Sequence, residues 1–215
     1  LGNGNGMRDR ADRRLPMTLE LAPYLTQEAE WPAAGRHILA QFDDESVVVY
    51  QAYALDIGLY AAKHGRFGPG FSFTRMSWIK PNFLWMMFRS GWGTKEGQEV
   101  TLAIRMQRAA FDAIILAGVP TSYDPKRFAS EAEWRSAGAS ASVRLQWDPD
   151  HDPAGAPLER RAIQLGIRGK TLNQFASQWI HSIEDISALV AAQRNRPLSE
   201  LLVPRERVYP MPSAR

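Results

Sequence analysis

Glu99-Val-Thr-Leu-Ala-Ile-Arg-Met-Gln107, followed directly by Arg108-Ala-Ala-Phe-Asp-Ala-Ile-Ile-Leu-Ala117, sets two structural periods side by side. Val100, Leu102, Ile104 and Met106 occupy every second position, which predicts a strand over 99–107. Phe111, Ile114 and Ile115 recur three and four residues apart among alanines, which predicts a helix over 109–117. A strand that runs straight into a helix suits several fold classes, so its neighbours decide.

Upstream, His37–Phe42 predicts a short strand ended by Asp43-Asp44. Ser46 suits the cap of a helix over 47–63, with Val47-Val-Val49 as the alternative start of a strand. Gly65–Gly70 reads as a loop and Phe71–Trp78 as a strand. Pro81 suits the first turn of a helix over 82–89, closed by Gly91-Trp-Gly93. Downstream, the pattern predicts a helix over 126–135 and a strand over 142–147. Three prolines make Asp148–Pro157 a loop. A strand follows over 161–167, then one long or two short helices over 172–194. With neither strict βαβ alternation nor an internal repeat, the expectation is an α+β fold: a single domain with a mixed, mostly antiparallel sheet and packed helices. Residues 1–17 read as a flexible N-terminus whose Leu1–Gly6 is an appended segment ahead of Met7. Residues 18–203 read as the domain and 204–215 as a tail.

The chain has 215 residues, 45% of them hydrophobic, and at that length a domain buries about 70% of the surface its unfolded form exposes. It has no cysteine, which removes disulfide frameworks and thiolate metal sites and suits a reducing, cytoplasmic compartment. No run approaches the roughly 20 apolar residues of a membrane span, so no membrane partner is expected. The net charge is only +3, but its distribution is uneven. Between Asp56 and Glu96 there is no acid; the stretch carries Lys63, Arg66, Arg75, Lys80, Arg89 and Lys95 with nine aromatics. A second acid-free stretch between Glu159 and Glu184 carries Arg160, Arg161, Arg168 and Lys170. Cations interleaved with rings suit a nucleotide or nucleic acid, phosphates meeting charge and bases meeting π faces. The same pattern also arises when rings build a core and cations reach out from it.

Several motifs fail on spacing. Gly169-Lys170-Thr171 ends like a phosphate-binding P-loop, but Gln164 stands where the earlier glycine is required. Asp148, Asp150, His151 and Asp152 lack the glycine turn and distal Glu of a calcium loop, and no metal is expected. No Gly-x-Ser-x-Gly elbow is present. What remains is a phosphate site built from Arg75, Lys80, Arg89 and Lys95 with Ser77, partnered by Arg160, Arg161 and Gln164. Tyr50, Gln51 and Tyr53, expected early on a helix, are candidates to stack on a ring.

The segment Arg75-Met-Ser-Trp-Ile-Lys-Pro-Asn-Phe-Leu-Trp-Met-Met-Phe-Arg-Ser-Gly-Trp-Gly-Thr-Lys95, with Asp43, Tyr50-Gln-Ala-Tyr53, Gln146-Trp-Asp-Pro-Asp-His151 and Arg160-Arg-Ala-Ile-Gln-Leu-Gly166, resembles the bacterial and fungal family called domain of unknown function 4291, from about residue 35 to 190. The resemblance implies a stand-alone intracellular domain and brings no chemistry. On residue order alone, Arg36 before the first strand, Ser77 on a middle strand and Glu159 or Gln164 by a late strand are similar to ADP-ribosyltransferases. There cations hold the pyrophosphate of NAD, a serine fixes the ribose and a carboxylate stabilises an oxocarbenium-like transition state. That order predicts a transferase with Ser77, Glu159 and Gln164 as catalytic residues, Arg36 among the ligand contacts and NAD as cofactor. The alternative is a non-catalytic module that binds a nucleotide or nucleic acid.

Overall fold

A computed structural model describes residues 19–213, and the expected flexibility of residues 1–17 falls outside them. In chain order the elements are β1 (Leu21–Pro23), α1 (Tyr24–Glu30), β2 (Gly35–Arg36), β3 (Ile38–Ala40), β4 (Ser46–Tyr53), α2 (Leu55–His64), β5 (Ser77–Ile79), α3 (Phe83–Ser90), β6 (Val100–Gln107) and α4 (Arg108–Ala117). Then come β7 (Val119–Pro120), α5 (Glu131–Ser140), β8 (Val143–His151), β9 (Pro157–Ile167), α6 (Gly169–Gln174), a π-helical turn (Phe175–Trp179), β10 (Ile180–Asp185), α7 (Ser187–Gln193), β11 (Leu202–Pro204) and β12 (Arg207–Tyr209). The class is α+β, with mostly antiparallel pairing in one domain.

β6 is the middle strand of an antiparallel sheet ordered β10-β6-β4, paired without a break from Ser46↔Gln107 to Tyr53↔Val100. β8 and β9 form a long antiparallel hairpin in a second sheet. The edge of β9 away from β8 is shared. β2 lies parallel to its start, Gly35 opposite Arg160, and β5 antiparallel to its end, Ser77 opposite Ile167. One residue past β5, Lys80 exchanges both backbone hydrogen bonds with Tyr50 of β4, at 2.7 and 3.2 Å. Residues 77–80 therefore stitch the two sheets together.

Both faces of β4 are apolar. Val47 and Val49 pack with Phe111, Leu165 and Phe175, while Val48 and Tyr50 pack with Phe83, Met87 and Val203. A strand buried on both faces loses its alternation, and the alternative, a strand opening at Val47-Val-Val49, holds in place of the helix expected over 47–63. The β-branched valines favour the pleated sheet, and the helix begins only at Leu55. Ser46 caps no helix: its N–H and hydroxyl donate to Asp43, which organises the turn between β3 and β4.

Other expectations shift for local reasons. The helix expected over 126–135 starts after Ser130, whose hydroxyl accepts from Glu133 N while the Glu133 carboxylate accepts from Ala129 N. That Ser-x-x-Glu capping signature is in the sequence. Strand β8 runs through Pro149 to His151, with a register shift between those two, and Pro157 is the first residue of β9. Two of the three prolines, Pro149 and Pro157, thus occupy bulge and strand-start positions, which a ladder tolerates, and Pro153 lies in the turn between the strands. Phe71–Met76 is loop, and only Ser77–Ile79 pairs. The stretch expected to be helical over 172–194 contains β10, an edge strand whose polar side chains face out. Residues past 203 join the fold through β12, which pairs with β3.

Candidate functional site

The junction at residues 77–80 opens on a cleft of about 580 Å³, within the usual range for small-molecule sites. β4 contributes Gln51 and Tyr53, the 71–76 loop Arg75 and Met76, β5 Ser77 and Trp78, and α3 Met86 and Arg89, with Lys80 at the floor. Among the described residues no Asp or Glu lines it, whereas three cations do.

Lys80 is 7% exposed. Among the described residues its ammonium has no ion-pair partner. Burial, assisted by the Arg89 charge, pushes the amine down to about 8, with Asp148 pulling the other way. Desolvation disfavours the charged form, but at neutral pH the ammonium still predominates. Asp148 is bracketed: Gln146 Nε2 and Gln164 Nε2 each donate to one of its oxygens at 2.8 Å. Gln146 and Gln164 are register partners, and the β5–β9 register, extended by one residue, sets Lys80 beside Gln164. Trp78 lies over Gly166, where a Cβ would come within 3.0 Å of its ring and 2.5 Å of Met76 Sδ.

The polar floor is a hydrogen-bonded chain. Gln51 Nε2 donates to Ser77 Oγ at 2.7 Å and to Trp78 O at 3.2 Å, and Tyr53 OH shares a hydrogen bond with Ser77 Oγ at 3.2 Å. Because Trp78 O only accepts, the Gln51 amide orientation is fixed, and Oε1 has no partner among the described residues.

Helix α3 is held from behind. The Asn82 side chain accepts from Trp85 N at 2.6 Å as N-cap, and the Glu206 carboxyl accepts from Phe83 N at 2.7 Å and Asn82 Nδ2 at 3.2 Å. Burial holds the Glu206 carboxyl well above the usual carboxylate range. Farther along, Phe88 stacks on His151 with ring centroids 3.5 Å apart.

The expected site residues divide into groups. Gln51, Tyr53, Arg75, Ser77, Lys80 and Arg89 line the cleft, with Gln164 next to Lys80 in register. Tyr50 is fully buried in the core against Phe83, on the other face of β4. Lys95 donates to Arg89 O at 2.7 Å and closes the end of α3. Arg160 is buried in an ion pair with Asp150 at 2.8 Å and also donates to Pro32 O. Its charge is spent inside the fold. Arg36 and Arg161 are opposite each other on β2 and β9 and exposed, Arg36 lying 6.0 Å from the Trp147 ring. Glu159 is exposed on β9 five residues from Gln164, so the two point to opposite faces roughly 16 Å apart along the strand. The set Arg36, Ser77 and Glu159 is not gathered around one point. Missed from sequence were Gln146 and, as a site residue, Asp148. The signal was the alternation Gln146-x-Asp148 opposite Gln164, concealed by reading residues 148–157 as loop.

A family model described as domain of unknown function, DUF4291, matches residues 37–209, a span that holds every residue of the cleft. No curated protein matches the chain. No helix among the described residues is long and apolar enough to cross a membrane.

Proposed function

The chain belongs to the family of domain of unknown function 4291, a membership that carries no reaction with it, and we propose from the cleft that the protein binds a phosphate-bearing small ligand, a nucleotide, between Arg75, Lys80 and Arg89. One observation carries this reading: a concave site lined, among the described residues, by three cations and no acid, one of them a buried lysine that has no ion-pair partner among those residues. A buried ammonium without a partner is costly, and an incoming phosphate supplies the missing charge. Arg75 and Arg89 are exposed at the rim, where guanidinium forks suit bidentate bonds to phosphate, while Lys80 acts as a point charge below. Phe71, Met76, Trp78 and Met86 give the walls apolar surface that suits the face of a base.

NAD is a candidate ligand within this class. A transferase step there would draw on Ser77 in the cleft and Gln164 beside Lys80. Glu159 lies too far along β9 to serve it, and Asp148 is the carboxylate whose charge reaches Lys80. Melting of the protein with AMP, NAD or a short RNA tests the reading. AMP or NAD should raise the melting temperature with concentration, and the Arg75→Ala/Arg89→Ala double variant should lose that response. No shift at millimolar nucleotide would overturn it.

A second reading, single-stranded nucleic acid along the rim, is favoured by Phe73, 41% exposed in the loop that also carries Arg75. Rings exposed beside cations are stacking platforms. It predicts polynucleotide binding that weakens steeply with salt, and Phe73→Ala should reduce it while AMP binding is kept.

A further inference from the structure

We propose that Lys80 is a nucleophile that forms an imine with the carbonyl carbon of a small phosphorylated aldehyde or ketone, a step that rests on the phosphate-binding reading of the same cleft. Rim and floor divide the work. Arg75 and Arg89 are exposed and Lys80 is buried in the same cleft, so a phosphate whose charge is met mainly by the two guanidiniums sets the rest of its molecule beside the amine. The backbone from which the amine projects is anchored, because both backbone groups of Lys80 are bonded to Tyr50. It has no carboxylate partner among the described residues, so no ion pair must break before it reacts. Desolvation and a neighbouring cation, the two effects that activate nucleophilic lysines, both act on it and bring it to about 8. Asp148, whose two oxygens accept from Gln146 and Gln164, acts on Lys80 only through its charge, which opposes the downward shift.

The step balances without an oxidant or reductant. The Nζ lone pair of the neutral amine adds to the carbonyl carbon while the C=O π pair moves onto oxygen. A proton passes from nitrogen to that oxygen through a solvent water, giving a carbinolamine. Nitrogen then expels the hydroxyl, which leaves as water with a second proton, and a C=N bond remains. One amine and one carbonyl give one imine and one water.

Pyridoxal 5′-phosphate is the probe, and pyridoxine 5′-phosphate, an alcohol in place of the aldehyde, is the control. The intact protein is mixed with equimolar probe, reduced with borohydride and mapped by mass spectrometry. The exposed Lys63, Lys95, Lys126 and Lys170 serve as internal references. The expected result is a reduced adduct on Lys80 formed at least about tenfold faster than on any of the four, reflecting its larger neutral fraction near neutral pH. Its rate should rise with pH to a midpoint near 8. Lys80→Arg keeps the charge and should still be stabilised by pyridoxine phosphate, but should lose the fast adduct. Labelling of the four exposed lysines at equal or greater rates overturns the proposal, as does a fast adduct that survives Lys80→Arg. If pyridoxine phosphate binds and Lys80 stays unlabelled, only the imine step fails. If pyridoxine phosphate leaves the melting temperature of the wild type unchanged, the phosphate reading fails with it.

Discussion

Lys80 opposes stability at neutral pH, and the sign can be worked out. Its unfolded value is the ordinary 10.5 and its folded value about 8, so the folded state binds the proton less tightly. The penalty is absent above the unfolded value, grows as pH falls from 10.5 to 8 and is full below 8. The gap corresponds to about 3 kcal/mol. Lys80→Met, of similar length and apolar, should therefore stabilise the protein at pH 7 by up to ~3 kcal/mol while removing its response to nucleotide. Denaturant titrations at pH 7 and above pH 10 check this: the variant's advantage should shrink at the higher pH, and an advantage independent of pH would contradict the account. Arg160 behaves in the opposite way. Its guanidinium and Asp150 are both nearly buried, so Arg160→Ala should cost about 3–5 kcal/mol by stranding a buried carboxylate. Arg89→Ala, at the exposed rim, should leave stability within about 0.5 kcal/mol. The two arginines looked alike in sequence because both lie in acid-free runs, and only the pairing of Arg160 with Asp150 separates them.

At the scale of elements, the cleft depends on how α3 and the β5–β9 pair are held. Asn82→Ala removes the N-cap of α3 and one donor to Glu206, and should lower stability by about 1–2 kcal/mol in denaturant unfolding. Gly166→Ala puts a methyl where Met76 and Trp78 now lie. It should cost about 1–3 kcal/mol and weaken nucleotide binding with every cation intact, measured as a raised Kd beside the lowered stability. The strand-helix junction at 99–117 was legible because one face of each element is apolar and the other is not. The β4 strand was not legible, since burial on both faces erases its period. The β8–β9 hairpin was cut short by its prolines, and with it went Asp148 and Gln146. Of the expected site, Arg75, Ser77, Lys80 and Arg89 could be read because all four fall within one contiguous stretch, 75–89, whose strand and helix turn them to the same cleft. Long-range pairing decided the rest: Lys95 closes a helix, Tyr50 turns to the core, and Glu159 falls on the far face of β9.

At the scale of the molecule, two sheets meet at one four-residue seam, and the cleft opens there. The buried lysine lies in the seam, so its backbone is part of the fold while its side chain is free to serve a ligand. Tungstate, soaked into crystals of the intact protein, examines this arrangement most directly, because its anomalous signal locates a tetrahedral anion without assuming a substrate. The account predicts a peak within hydrogen-bonding distance of Lys80 Nζ and at least one of Arg75 and Arg89, lost in Lys80→Met. Peaks confined to other cationic surface, such as Arg205 and Arg207, with an empty cleft would contradict it.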